Sequence, residues 1–86
     1  MGAHRDLPPQ YARFFRALGN RIRSYREDNG LTQEDMIFYG FSVRHWQKIE
    51  AGRPMTVFTL LRVSEAFQVP LDLLLTGLNQ HLRKRK

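Results

Sequence analysis

Within residues 42–50, SVRHWQKIE, the side chains of Arg44, Gln47 and Lys48 carry hydrogen-bond donors of the kinds that fit base edges and phosphates. Arg and Lys match the paired acceptors O6 and N7 of guanine, and Gln can pair with adenine. Ser42 and Val43 precede them, a hydroxyl for phosphate or base and a branched apolar group for a thymine methyl. On a helix turning about 100° per residue, Trp46 and Ile49 share one side while Arg44 and Lys48 point nearly opposite. Gln47 falls between them on the outer half. Such a helix can pack on a core with one face and offer donors with the other. An ordinary amphipathic helix with solvated charges has the same geometry, so spacing alone does not separate the two readings.

The surrounding residues predict the elements that would hold this helix. Tyr11, Phe14, Phe15, Leu18, Ile22 and Tyr25 recur at the spacing of one helical face, with Arg13, Arg16, Arg21, Arg23 and Arg26 mostly elsewhere. The DNG at residues 28–30 ends that helix, Gly30 serving as a left-handed cap. Thr32 is an N-cap, and Glu34 and Asp35 stand in the first turn, where the helix dipole favours acids. A second helix is expected over residues 33–39, stopped by Gly40. Ser42 caps the third, through about Glu50, before AGRP. Thr56 caps a fourth that bears Val57, Leu60, Leu61, Val63 and Phe67, and Pro70 opens a short fifth, PLDLLLTG. Residues 1–10 read as a tail, 11–77 as the folded domain, and 78–86 as a frayed basic end. With no strand alternation, repeat or low-complexity segment, the expected fold class is all-α, five helices with a helix–Gly–helix hinge at the centre. Two short helices so joined fit the helix-turn-helix unit, whose second helix enters the major groove.

Composition narrows the class. Eighty-six residues, 42% hydrophobic and 12% aromatic, suit one small domain with a compact core. There is no cysteine, so neither disulfides nor a cysteine zinc site supplies stability. No apolar run reaches membrane-spanning length and residues 1–10 lack a signal-peptide core, so a cytoplasmic, soluble protein without membrane partners is expected. Fourteen Lys and Arg against eight Asp and Glu leave a formal net charge of +6, which attracts polyanions. Eleven of the fourteen are arginine, the side chain suited to forked contact with phosphate or guanine.

Three stretches in order, LGNRIRSYRED before GLTQEDM, then GFSVRHWQKIEAGRP, then TLLRVSEAFQVPLDLLLTG, give the chain a family likeness over residues 18–77. It resembles the Cro/C1-type (Xre-like) helix-turn-helix transcriptional regulators. The resemblance implies a five-helix, lambda-repressor-like DNA-binding domain with a central helix-turn-helix, in a family where many members act as homodimers on palindromic operators. It assigns Gln33 and Arg53 to phosphate contact and Ser42, Val43, Arg44 and Lys48 to bases or flanking phosphates, with His45 and Gln47 as flanking candidates. It also pairs Arg26 with Glu50 as a structural tie between the first and third helices. Three positions depart from the usual pattern. Ile37 stands where a small residue is common, Gly40 comes one residue early, and Trp46 replaces an aliphatic side chain. A bulky wedge at Ile37 and a shorter hinge should reset the angle of the reading helix.

Other chemistry finds little footing. His4, His45 and His81 are scattered without metal-ligand spacing, and no nucleophile–base set or glycine-rich phosphate loop occurs, so no metal, cofactor or catalysis is expected. Phe14, Phe15, Phe38, Phe41, Phe58 and Phe67 read as core rather than as stacking platforms. Met36, Ile37, Trp46 and Ile49 are expected to hold the two hinge helices together. Leu71, Leu74, Leu75 and Leu78 are candidates for a dimer seam, with capping of the monomer core as the alternative. The sequence thus points to a regulator of transcription acting on double-stranded DNA. Alternatives are an antitoxin-type module binding a toxin partner through the fifth helix or a tail, and a basic nucleoid or RNA-binding protein without sequence choice.

Overall fold

The computed structural model describes residues 7–82, and they are helical with no strand. The elements are α1 (Pro9–Asp28), a 3-10 helix (Glu34–Tyr39), α2 (Val43–Glu50), α3 (Val57–Phe67), α4 (Leu71–Leu75) and a second 3-10 helix (Leu78–Leu82). Helix α1 begins two residues before the expected start. Pro8 takes an extended conformation and Pro9 occupies the first turn, where a missing N–H costs nothing. The end at residues 83–86 lies outside the described residues, but Leu78 does not belong to a frayed tail. It is buried, on a 3-10 helix that packs along α1.

Four of the six helices stop by one recurring device. After α1, Gly30 N–H bonds Glu27 O at 2.9 Å and Leu31 N–H bonds Arg26 O at 3.1 Å, the paired bonds of a Schellman motif. The same pair closes the first 3-10 helix at Gly40, α2 at Gly52 and α3 at Gln68. Three of these left-handed residues are glycine, whereas Gln68 holds φ 53° with a side chain. A non-glycine residue in that region costs about 1–2 kcal/mol, partly offset because glycine loosens the unfolded chain. Gln68→Gly is therefore expected to stabilise the domain by about 0.5 kcal/mol, a rise of a few degrees in Tm by thermal melting. A lower Tm would show that the Gln68 side chain contributes more than its strain.

The core unites Leu18 and Ile22 of α1 with Met36, Phe41, Trp46, Ile49, Leu60, Val63, Leu74 and Leu78. Trp46 lies edge-on to Phe41 at 4.9 Å between centroids and to Phe67 at 5.9 Å, so its indole joins α2 to α3. Several sequence expectations fail here. The second helix is 3-10 rather than α, opened by reciprocal bonds between Thr32 and Asp35 at 2.8 and 3.1 Å. Its tighter turn, about 120° per residue, sends Met36 inward and carries Ile37 out to 60% exposure. Ile37 is thus no wedge between the hinge helices; Phe41, after the Gly40 turn, enters the core instead. Phe38 and Phe58 are also exposed rather than core. The seam proposed for Leu71, Leu74, Leu75 and Leu78 is overturned by burial. Leu74 and Leu78 are buried, Leu71 and Leu75 pack against the core, and α4 thereby caps the monomer.

Candidate nucleic-acid interface

Helix α2 is built to be held by one end and one face. Ser42 caps it, its hydroxyl accepting the His45 N–H at 3.0 Å. Trp46 and Ile49 are buried, which turns Ser42, Arg44, Gln47 and Lys48 outward as an exposed row. Val43 and His45 are half-buried. His45 leans toward the Phe41 ring at 5.8 Å and, with Lys48 and Arg53, lines a cleft of about 450 Å³ beside the helix. Arg53 itself is exposed, just past the Gly52 turn. The row and Arg53 therefore share one basic surface, with the only carboxylate of α2 turned away from it.

That carboxylate, Glu50, is the anchor. Its side chain is 5% exposed and accepts from Arg26 Nε at 2.6 Å and the second guanidinium nitrogen at 3.1 Å. Gln33 Nε2 donates to it at 2.9 Å, and the indole N–H of Trp46 donates as well. Arg26 spends a further donor on Leu31 O at 2.7 Å, beyond the end of its own helix. One acid thus joins α1, the first 3-10 helix and α2. Burial pushes the Glu50 carboxyl upward, but the bonds from Arg26, Gln33 and Trp46 and the Arg26 charge outweigh it and hold the group below its ordinary range. The Glu50 bond in turn raises the Arg26 guanidinium above its usual value, against the opposing effect of burial. No buried side-chain nitrogen or oxygen among the described residues lacks a partner.

Gln33 has a different place from the free phosphate donor expected of it. Its amide nitrogen is engaged by Glu50, and its oxygen accepts from Gln47 Nε2 at 3.4 Å. Gln33 and Gln47 thus form a polar bridge between the two hinge helices, half-buried at Gln33 and exposed at Gln47.

Three positioning residues escaped the sequence reading. A Cβ on Gly19 would stand 2.8 Å from Ile49 O and 2.9 Å from Glu50 O, so α1 crosses the end of α2 at backbone distance. Gly52 answers from the other side, where a Cβ would fall 2.9 Å from Arg16 Cα. A glycine inside an otherwise strong helix was the available signal for Gly19. Arg62 of α3 donates to Gly40 O at 2.6 Å and lies 4.3 Å over the Phe41 ring, pinning the turn that leads into α2. Its partner is 22 residues away, and no local pattern marks it.

A short helix turned outward by a buried anchor, preceded by a tight turn and a second short helix, defines a DNA-binding helix-turn-helix module. The chain belongs to the helix-turn-helix domain family, whose model matches residues 17–76. This is nearly the span on which the regulator resemblance rests. No curated protein and no solved structure gives a match. Among the described residues no helix is long and apolar enough to cross a membrane, and no cluster of His, Cys, Asp or Glu could hold a metal ion.

Proposed function

We propose that the protein is a sequence-specific regulator of transcription that lays α2 in the major groove of double-stranded DNA and binds a palindromic operator as a homodimer. The observation that carries this reading is the exposed row Ser42, Arg44, Gln47 and Lys48 on a helix whose opposite face is fixed by Trp46, Ile49 and Glu50. Arg44 and Lys48 read guanine, Gln47 reads adenine or braces Gln33, and Arg53 holds phosphate. Two half-sites would lie about one helical turn, roughly 34 Å, apart. The antitoxin reading draws little support from helix α4, because Leu71, Leu74 and Leu75 are turned into the core and leave a partner only Leu73.

Selection from a random duplex library tests the reading. Enrichment of a palindrome is expected, and its absence at moderate salt would overturn sequence-specific recognition. Arg44→Ala and Lys48→Ala should each cost about 1–3 kcal/mol on the selected site and relax choice at one position. Arg53→Ala should instead weaken all duplexes alike and lower the salt slope by about one. Equal losses on selected and scrambled duplexes for Arg44→Ala would place Arg44 on the backbone rather than on a base.

A further inference from the structure

Six of the nine large apolar side chains that stand exposed fall in two short stretches, residues 37–39 and 57–61. Phe38 is 84% exposed and Phe58 70%, degrees unusual for phenylalanine in a folded domain. The two stretches meet at Arg62. Its guanidinium donates to Gly40 O at 2.6 Å, lies over Phe41 and comes within 5.8 Å of the Phe58 ring centre. Tyr39, Arg62 and Glu65 line one shallow depression on the same surface. Helical spacing gathers Val57, Phe58, Leu61, Arg62 and Glu65 on one side of α3, away from Leu60 and Val63, which are in the core.

We infer that this face is the interface between two copies of the chain. The six apolar side chains expose on the order of 700–800 Å² together, the most this face can offer toward the roughly 800 Å² that each partner contributes to a standard interface. A second copy suits the patch because its charges are self-complementary. Arg62 and Glu65 lie one turn apart on α3, and Glu65 forms no ion pair among the described residues. A two-fold axis through the face sets an Arg62 and a Glu65 on each side, so each copy offers the other both signs around an apolar centre. Leu71, Leu74 and Leu75 of α4 are spent on the core, and the exposed Leu73 and Leu82 stand apart from the patch in sequence, on the last two elements. The inference rests on the homodimer in the proposed function and not on its DNA contacts.

Sedimentation of the full chain without DNA, over roughly 1–100 µM, is the test. A monomer–dimer equilibrium that stops at two is expected. Phe38→Glu and Phe58→Glu should each weaken it at least tenfold while leaving the helical circular dichroism and the melting of dilute protein unchanged. Leu73→Glu, at another exposed leucine, should leave the dimer intact. The interface is overturned by a protein that stays monomeric at the highest concentration, by a dimer indifferent to both phenylalanine variants, or by association that runs on past two copies. A monomer that still selects a DNA motif would remove this interface and leave the recognition helix standing. A dimer lost in both variants, with no motif selected by the parent chain, would do the reverse.

Discussion

Glu50→Ala is expected to remove about 3–5 kcal/mol from the unfolding free energy, because it strands a buried guanidinium rather than deleting one hydrogen bond. Arg26 is itself buried and aims two nitrogens at the Glu50 oxygens. Gln33 and the Trp46 indole lose their acceptor at the same time. A domain of this size holds on the order of 5–10 kcal/mol in total, so the variant should be partly unfolded near physiological temperature. Glu50→Gln separates charge from shape. Its oxygen can still accept from Trp46 or Gln33, but its amide group meets Arg26 donor to donor, and an intermediate loss is expected. Urea denaturation followed by Trp46 fluorescence reads both, since Trp46 is the sole tryptophan and touches the altered carboxylate. A Glu50→Ala loss below about 1 kcal/mol would mean that water replaces the anchor.

The same carboxylate sets an acid limit. Its folded pKa lies below the ordinary value, so folding and deprotonation reinforce each other. This contribution is complete above the unfolded carboxylate range, about 4.3, and is lost as pH falls through the folded value. Stability should thus decline steeply below about pH 4 in the parent chain and less steeply in Glu50→Gln. Identical profiles would place the acid sensitivity at other carboxylates.

Particular residues show what the sequence could carry. Helical periods, N-caps at Ser42 and Thr56 and glycine stops placed α1, α2 and α3 nearly where they lie, because those signals act within one or two turns. The outward row on α2 followed from the same 100° arithmetic. Ile37 failed because its direction depends on whether the turn is α or 3-10, and Gly40 and the Thr32–Asp35 cap settle that jointly. The α4 leucines were ambiguous for another reason. Amphipathic spacing finds an apolar face without saying what covers it, and here α1 and the core do. Gln33, Arg62 and Gly52 take their roles from groups 17 to 36 residues distant in the chain, which no local pattern encodes.

Gly52→Ala is the second large effect expected, about 2–5 kcal/mol, and two other glycines resolve its causes. At Gly52 φ is 88°, so any side chain brings left-handed strain of about 1–2 kcal/mol. The new Cβ also meets Arg16 Cα at 2.9 Å and Arg16 N at 3.3 Å, backbone atoms of a 20-residue helix that cannot swing aside. Gly30→Ala isolates the first cause, because φ is 71° there and nothing lies within 4 Å. Gly19→Ala isolates the second. Its Cβ strikes Ile49 O and Glu50 O, while alanine in a helix interior returns up to about 1 kcal/mol. The expected order of destabilisation places Gly52→Ala above both, and equality with Gly30→Ala would show that α1 and α2 are not tightly seated. DNA affinity should divide them differently. Gly19→Ala and Gly52→Ala push α1 away from the end of α2, loosening the Arg26–Glu50 tie and turning the Arg44–Lys48 row, so both should lose affinity at temperatures where they remain folded. Gly30→Ala, which touches neither contact, should bind like the parent chain. The angle of the reading helix is set, on this view, less by the hinge at Gly40 than by two missing side chains at its far end.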